Sequence, residues 1–316
     1  MKNEKILVIK HGAFGDFIHQ LELMKSIRAT HKNAEITLIT AKAQEKLANA
    51  SGYFDNIVID NRTYKLKDWY RVIKKTIVDG NFDIIYNLQG SKRVVNKYIP
   101  IARFLSDHNL IIRYPKIKEN TNFNEVTFYK NHSFTLGRKE VKTYNLELEA
   151  EDLSFCKLSQ DIEKILPKEP FVLLIPGCSV GHDYKRWSPQ NYGQLAKDLE
   201  QENIKTVIIG TSAEKDNIEK IIEICPSAIN LMDKTLMTDL PPIGKRALVS
   251  VGNDTGPTHF VSVSKANVIA LFGPQTAHAQ DKSPNVLNFV GKNSINEISV
   301  TDVKNACMKY KNNLSK

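Results

Sequence analysis

The sequence predicts an α/β protein built from two doubly wound domains that face a central cleft. Short apolar runs alternate with amphipathic helical segments in both halves of the chain, and this pattern is typical of parallel sheets covered by helices on both faces. Glycine-containing or polar turns follow several of these runs. The chain has 316 residues, which is enough for two hydrophobic cores. Ligands of such sheets bind beyond the carboxyl ends of the strands.

In the first half, four apolar runs are predicted to be strands. They span residues 5–10, 35–40, 56–60 and 82–88. Helices are predicted over residues 16–30 and 69–78, where apolar residues recur near the helical period of 3.6. Residues 113–155 are polar and basic and show little periodicity, so we expect loops and short elements there.

The second half repeats this alternation after a segment with two prolines and two charges, residues 166–170, which we interpret as a linker. The predicted domains are therefore 1–165 and 166–316. The second domain is predicted to contain strands over residues 171–175, 205–210, 228–231, 247–251 and 268–273. Its helices are expected to begin at Ser188, as N-cap before Pro189, and to cover residues 213–225 and 301–310. Packing of the last helix against the first domain is left open.

The composition excludes several classes of protein. No apolar run approaches the ~20 residues that cross a bilayer, and the N-terminal residues lack the pattern of a signal peptide, so a cytoplasmic location is expected. The four cysteines show no zinc-site spacing, and neither a metal nor a cofactor is expected. Cys178 lies in a glycine turn, where a small packed residue is favoured over a reactive thiol.

The positive charge is concentrated in the first half of the chain. Residues 1–165 contain 27 Lys and Arg against 20 Asp and Glu, whereas residues 166–316 contain 17 against 15. This excess could serve an anionic substrate, an anionic membrane surface or nucleic acid, and we favour such a role over an ordinary basic surface that has no partner.

The most informative segment spans residues 251–259, Val-Gly-Asn-Asp-Thr-Gly-Pro-Thr-His, between an apolar run and a helix-like segment. Such a turn aims the backbone N–H groups of Gly256, Thr258 and His259 at an anion, usually a phosphate, and the helix dipole adds positive charge there. His259 is interpreted as a structural hydrogen-bonding residue rather than a catalytic one. The binding candidates in this turn are Asp254, Thr255 and Gly256.

A second turn follows the first strand of the second half. The chain turns at Pro176, Ser179 offers a hydroxyl, and Lys185 and Arg186 offer cations. Together these side chains suit a diphosphate. Trp187 is expected to pack in the core at the base of the next helix.

The first strand is followed by His-Gly-Ala-Phe-Gly-Asp, which ends at Asp16. A carboxylate at a strand end beside a glycine turn is placed for proton abstraction. The alternative is that Asp16 is a helix N-cap without other function. The spacing of the glycines is not the dinucleotide fingerprint G-x-G-x-x-G, and no Walker lysine is present.

Polar and basic residues also follow the strand predicted over residues 82–88. They are Gln89, Lys92 and Arg93. Arg93 would suit a carboxylate or a phosphate through two hydrogen bonds, and a solvated helix face is the alternative interpretation.

Taken together, these motifs resemble glycosyltransferase family 9, the ADP-heptose:lipopolysaccharide heptosyltransferases. Four segments in order, each at a predicted strand end, carry the resemblance over nearly the whole chain. They are Gly15-Asp16, Gln89-Gly90 with Arg93, Pro176-Gly177 with Lys185-Arg186-Trp187, and Gly252 to His259 followed by Leu271-Phe-Gly-Pro274.

The resemblance implies a GT-B fold, in which the first of two Rossmann-like domains holds the acceptor and the second holds the nucleotide sugar. It implies inversion at the anomeric carbon and no required metal. Asp16 matches the family's general base and Lys185 the lysine that neutralises the leaving diphosphate. Glu214 looks like the carboxylate that holds the ribose. The sugar- and phosphate-contacting turn of the family matches Asp254, Thr255 and Gly256.

The donor implied by the resemblance is ADP-heptose, and the acceptor is an anionic glycolipid, the lipopolysaccharide inner core. The acceptor would be reached by peripheral contact with the cytoplasmic face of the inner membrane, and no nucleic acid is expected as a partner. One alternative is the same fold acting on another nucleotide sugar or acceptor. Another is a non-catalytic protein that binds a nucleotide sugar or a glycan. A Rossmann oxidoreductase is less favoured, because the dinucleotide fingerprint is missing.

Overall fold

The computed structural model divides into two compact units, Met1–Glu151 and Asp152–Lys316, which we call unit 1 and unit 2. The division falls before the proline-containing segment 166–170, which connects a helix to the first strand of unit 2. The structure describes residues 4–12, 14–61, 66–88, 98, 112–113, 115–117, 144–146, 151–179, 181–281 and 283–314.

Unit 1 contains a five-stranded parallel sheet in the order β3-β2-β1-β4-β5 and a separate strand pair, β6-β7. The strands are β1 Lys5–Ile9, β2 Glu35–Thr40, β3 Asn56–Ile59, β4 Ile84–Asn87, β5 Ile112–Arg113, β6 Pro115–Ile117 and β7 Tyr144–Leu146. The helices are α1 Phe14–Ile18, α2 Leu21–Thr30, α3 Glu45–Ser51 and α4 Leu66–Trp69, which continues as a π-helix over Tyr70–Val78.

The single helix predicted over residues 16–30 is two helices. The N–H of Gln20 donates to the Phe17 carbonyl at 3.0 Å, which closes α1, and the Gln20 carbonyl accepts from the Met24 N–H at 3.0 Å, which begins α2. Because the apolar residues keep the same period on both sides of this junction, the sequence pattern did not show the break.

Unit 2 contains a six-stranded parallel sheet in the order β10-β9-β8-β11-β12-β13. This is the strand order of a Rossmann sheet. The strands are β8 Phe171–Ile175, β9 Lys205–Ile208, β10 Ile229–Asn230, β11 Val249–Asn253, β12 Val268–Phe272 and β13 Val286–Val290. The helices are α5 Gln160–Ile165, α6 Pro189–Gln201, α7 Lys215–Ile224, α8 Leu240–Arg246, α9 Gly256–Val263 and α10 Val300–Leu314.

The helices of unit 2 pack as a Rossmann fold requires. α6 packs against α7 and α10, and α8 packs against α9. The C-terminal helix α10 therefore belongs to unit 2, where Lys304 forms an ion pair of 2.8 Å with Glu202 just beyond α6. Trp187 is fully buried in the core of this unit, as predicted.

Local signals account for two helix starts in unit 2. Ser188 caps α6, as predicted, because its hydroxyl accepts from the Asn191 N–H at 3.1 Å. Pro241 and Pro242 lie in the first turn of α8, where the missing N–H groups would have no partner within the helix.

Strand β13 was not predicted. Its residues are half-buried or exposed, and Asn288 interrupts the apolar run.

Within the described ranges, no helix combines the length and the apolar character that crossing a bilayer requires.

Candidate active site

The candidate site in unit 2 lies at the carboxyl edge of its sheet, between β8 and β11. The strand order reverses between these two neighbours, and ligands of Rossmann sheets bind at such a reversal. Two loops meet there. One follows β8 over residues 176–187, and the other leads from β11 into α9 over residues 254–255.

Asn253, at the end of β11, joins the two loops and was missed in the sequence analysis. Its fully buried side chain donates to the carbonyls of Pro176 at 2.8 Å and Gly177 at 3.1 Å. Its Oδ1 accepts from the Trp187 N–H at 3.1 Å and the Tyr192 hydroxyl at 3.0 Å. A buried amide with its hydrogen bonds satisfied fixes the groups around it. The loop after β8 is therefore held to the end of β11.

Three predicted residues form one charged cluster beside this junction. The Lys185 Nζ lies 2.7 Å from Asp254 Oδ2, and the His259 Nε2 lies 3.0 Å from Asp254 Oδ1. Burial alone would raise the pKa of Asp254, but the hydrogen bonds and charges of His259 and Lys185 outweigh it and hold the pKa below its usual range. Asp254 is therefore ionised at neutral pH and fixes both basic side chains at the start of α9.

The start of α9 presents backbone N–H groups to the same edge. Thr255 is the N-cap residue, but its side chain does not cap the helix and instead lies 3.3 Å from the Thr258 hydroxyl. The His259 N–H donates to the Thr255 carbonyl at 3.1 Å, so the prediction that it is available to a ligand is wrong. The first N–H groups of a helix have no partner within it. The N–H groups of Gly256 and Thr258 therefore remain candidates for binding an anion.

The other donor-side candidates surround the loop after β8. Arg186 donates to the Pro176 carbonyl at 3.3 Å. Glu214 accepts from the N–H and the hydroxyl of Thr211 at 2.9 and 2.6 Å, and a Cβ on Gly177 would lie 3.4 Å from its carboxyl carbon. Ser179 is exposed.

Cys178 lies inside this charged loop but is not activated by it. The thiol is buried, and burial raises its pKa even though Arg186 and Lys185 act in the opposite direction. A protonated thiol is a poor nucleophile. The structure therefore agrees with a packing role for Cys178.

In unit 1, Asp16 lies near the carboxyl end of β1, where the strand order also reverses, between β1 and β4. It is half-buried and occupies the first turn of α1, which begins at Phe14. The alternative that Asp16 is the N-cap is therefore wrong, because it lies inside the helix. The acceptor-side candidates Gln89, Lys92 and Arg93 lie outside the described residues.

The loop before Asp16 is fixed on both sides. Gly12 adopts a φ of +106°, which favours glycine, and its carbonyl accepts from the Gln44 amide at 3.0 Å. The His11 Nε2 lies 3.0 Å from an Asp60 carboxylate oxygen that also accepts from the Tyr98 hydroxyl at 2.6 Å. In the part of the chain that the structure describes, no group of three His, Cys, Asp or Glu is placed to hold a metal ion.

The fold agrees with known glycosyltransferases. The structure of a glycosyltransferase family 9 protein from Veillonella parvula has a TM-score of 0.71 at 16% identity, with 98% of both chains covered. The E. coli heptosyltransferase WaaC with ADP-2-deoxy-2-fluoro heptose has a TM-score of 0.69 at 14% identity, with 96% of this chain and 99% of WaaC covered. These likenesses confirm the predicted GT-B fold.

The sequence comparisons agree with the structural comparisons. The lipopolysaccharide core heptosyltransferase OpsX of Haemophilus influenzae is 22% identical over 284 residues, which cover 85% of this chain and 79% of OpsX. The family model described as glycosyltransferase family 9 (heptosyltransferase) matches residues 127–314, more than half of the chain. This chain therefore belongs to glycosyltransferase family 9 and is a glycosyltransferase.

Proposed function

We propose that this protein is an inverting heptosyltransferase that moves heptose from ADP-heptose to an inner-core sugar of lipopolysaccharide. The observation that carries this proposal is the Lys185–Asp254–His259 cluster beside the start of α9, in a chain of a heptosyltransferase family. Support for the donor and the acceptor comes from the relatives, since OpsX is named for the lipopolysaccharide core and WaaC was solved with an ADP-heptose analogue.

The donor side of the proposed site is the unit 2 edge. Lys185, whose side chain is 22% exposed, would neutralise the leaving diphosphate of ADP while Asp254 holds it in place. The N–H groups of Gly256 and Thr258 and the dipole of α9 would add positive charge at the same point. These groups supply charge stabilisation from the protein itself, which supports transfer without a metal.

Three further residues complete the proposed donor site. Arg186 lies against the Pro176 carbonyl and Ser179 is exposed on the same loop, so both can reach phosphate oxygens. Glu214, fixed by Thr211, is suited to accept hydrogen bonds from the ribose hydroxyls.

The acceptor side is assigned to unit 1, with Asp16 as general base. The acceptor oxygen forms a bond to the anomeric carbon as the bond from that carbon to the diphosphate breaks. The acceptor proton goes to the Asp16 carboxylate and the electron pair goes to the diphosphate. Attack from the face opposite the leaving group inverts the anomeric configuration. Gln89, Lys92 and Arg93 are proposed to bind the anionic groups of the acceptor.

Nucleotide release tests this proposal. The protein is incubated with ADP-heptose, or with UDP- or GDP-sugars, in the presence or absence of a truncated lipopolysaccharide. We expect ADP release that depends on the acceptor. Turnover of a UDP-sugar alone would exclude the proposed donor, and donor binding without turnover would indicate a non-catalytic binding protein.

Asp16→Ala tests the base. We expect turnover to fall by at least about 100-fold, the usual contribution of a general base, with ADP-heptose affinity unchanged. Asp79→Asn is the matched control, because it removes an exposed carboxylate from unit 1, and we expect it to keep the wild-type rate. A wild-type rate for Asp16→Ala would refute the assignment.

A further inference from the structure

Tyr184 is an exposed aromatic residue on the loop after β8. It is 46% exposed, and in the described part of unit 2 it is the one exposed residue among Phe, Trp and Tyr. Its ring lies beside the ring of His182, with centroids 5.6 Å apart. A single exposed aromatic side chain is ordinary on a protein surface, but this one lies on the loop that carries Lys185 and Arg186.

The loop after β8 crosses the carboxyl edge of the unit 2 sheet. Near its start, a Cβ on Gly177 would lie 3.4 Å from the carboxyl carbon of Glu214, which follows β9. Near its end, a Cβ on Gly273 would lie 3.2 Å from the Tyr184 carbonyl oxygen, and Gly273 directly follows β12. Because β9 and β12 lie on opposite sides of the β8–β11 pair, the loop runs from one side of the candidate site to the other.

The backbone around Tyr184 is held in place on both sides. Residues Asp183–Lys185 form a short helical turn, and the Lys185 N–H donates to the His182 carbonyl at 2.8 Å. The Lys185 ammonium, on the same turn, lies 2.7 Å from Asp254. The backbone of Tyr184 therefore has a fixed place beside the charged cluster, while its side chain is left largely in solvent.

The parts of the proposed donor match the order of these contacts along the edge. In ADP-heptose the ribose, the diphosphate and the transferred sugar follow one another in a chain. Glu214 is the proposed partner of the ribose on the β9 side, and Lys185 with the start of α9 is the proposed diphosphate site at the centre. The sugar would come next, on the β12 side, where the Tyr184 backbone meets Gly273.

We propose that Tyr184 contacts the transferred sugar of the donor. One face of a sugar ring carries carbon-bound hydrogens, and an aromatic ring offers them a large apolar surface with a polar hydroxyl at its edge. This inference rests on the proposed function, since it takes ADP-heptose as the donor. Because the ring meets the sugar and not the nucleotide, it contributes to the affinity for ADP-heptose and not to the affinity for ADP.

Titration calorimetry with ADP and with ADP-heptose separates the sugar from the nucleotide. For Tyr184→Ala we expect the affinity for ADP-heptose to fall by about three- to tenfold, which corresponds to one aromatic contact. The affinity for ADP should stay at the wild-type value. The melting temperature should also be unchanged, because the side chain that is removed is exposed.

Two further variants serve as comparisons. Tyr184→Phe keeps the ring and removes the hydroxyl, and we expect it to bind ADP-heptose within about twofold of wild type, since the ring supplies most of the contact. Tyr70→Ala removes an exposed tyrosine of unit 1 and is expected to change neither affinity.

Equal losses of affinity for ADP and ADP-heptose in Tyr184→Ala would overturn the inference, because the ring would then act on the nucleotide or on the loop itself. Unchanged affinity for both ligands would overturn it too, and so would an equal loss in Tyr70→Ala. If the wild-type protein releases ADP from ADP-heptose in the presence of the acceptor, these outcomes refute the role of Tyr184 alone. If it releases none, the proposed function fails, and the inference fails with it.

Discussion

Asp254 holds two basic side chains through one carboxylate. Lys185 and His259 bind its two oxygens at 2.7 and 3.0 Å. The pKa of Asp254 is lower in the folded protein than its usual value, so its ionised form stabilises the fold above pH ~4 and this contribution is lost as the pH falls through the folded value. The same carboxylate thus fixes the two basic side chains, and its own ionisation makes their positions depend on pH.

Lys185→Met tests this cluster. We expect ADP affinity to fall by about ten- to 100-fold, since a hydrogen bond to a charged group contributes about 1.5–3 kcal/mol, and turnover to fall with it. Titration calorimetry measures the affinity. Lys215→Met is the control, because it removes an exposed lysine at the start of α7. Unchanged ADP affinity in Lys185→Met would mean that this ammonium does not meet the diphosphate.

The sequence did not reveal the role of Asn253. This residue is polar and buried at the end of β11, and in the sequence it resembles the ordinary polar residue that ends a strand. Asp254 and Lys185 were found because they belong to a motif with glycines and prolines around it. A side chain that fixes other groups leaves no such local pattern, and its role depends on loops that are distant in the chain.

At the scale of elements, apolar runs that are buried along their whole length were predicted best. Strands β2 and β8 have the predicted bounds, and all or nearly all of their residues are buried. The edge strand β13 was missed, since exposure allows polar residues in it. A continuous apolar run was therefore what made a strand visible in the sequence, since β3 was also predicted although its residues are half-buried or exposed.

The junction between β8, β11 and α6 depends on Asn253, which makes Asn253→Ala the test at this scale. The substitution leaves the Pro176 and Gly177 carbonyls and the Trp187 N–H without their partner. We expect the free energy of unfolding to fall by at least about 3 kcal/mol, because three groups lose their partner and each unsatisfied buried group costs about 1–3 kcal/mol. We also expect weaker ADP binding. Differential scanning calorimetry measures the first effect.

Tyr192→Phe is the matched comparison, because it removes only the hydroxyl that donates to Asn253 at 3.0 Å. Tyr192→Phe should lower the free energy of unfolding by about 1 kcal/mol. Equal melting temperatures for Asn253→Ala and wild type would show that the loops keep their positions without this amide.

Across the whole molecule, the repeated pattern of strands and helices was sufficient to predict two Rossmann-like units. The compact units divide between Glu151 and Asp152, whereas the sequence predicts a linker over residues 166–170. Helix α5 precedes that segment and is tied to unit 2 by an ion pair of 2.7 Å between Glu163 and Arg246. Prolines mark a loop, but contacts across the sequence decide where a unit begins.

The basic excess of residues 1–165 yields the prediction for the molecule as a whole. An anionic glycolipid acceptor at a membrane surface would attract this half of the chain. We expect the protein to bind vesicles that contain phosphatidylglycerol at about 50 mM salt and to be released at about 0.5 M, because salt shortens the range of charge interactions to a few ångströms. Cosedimentation with and without the anionic lipid measures this.

Two double variants test which unit carries the lysines that bind the anionic vesicles. Lys67→Glu with Lys75→Glu reverses exposed lysines of unit 1, and Lys197→Glu with Lys220→Glu reverses exposed lysines of unit 2. Both pairs change the net charge equally, so a general effect of charge would weaken binding equally. We expect the unit 1 pair to weaken vesicle binding more strongly. Binding that does not respond to salt, or that the two pairs of substitutions weaken alike, would contradict membrane contact through unit 1. The basic residues of unit 1 would then be expected to bind the water-exposed part of the acceptor instead.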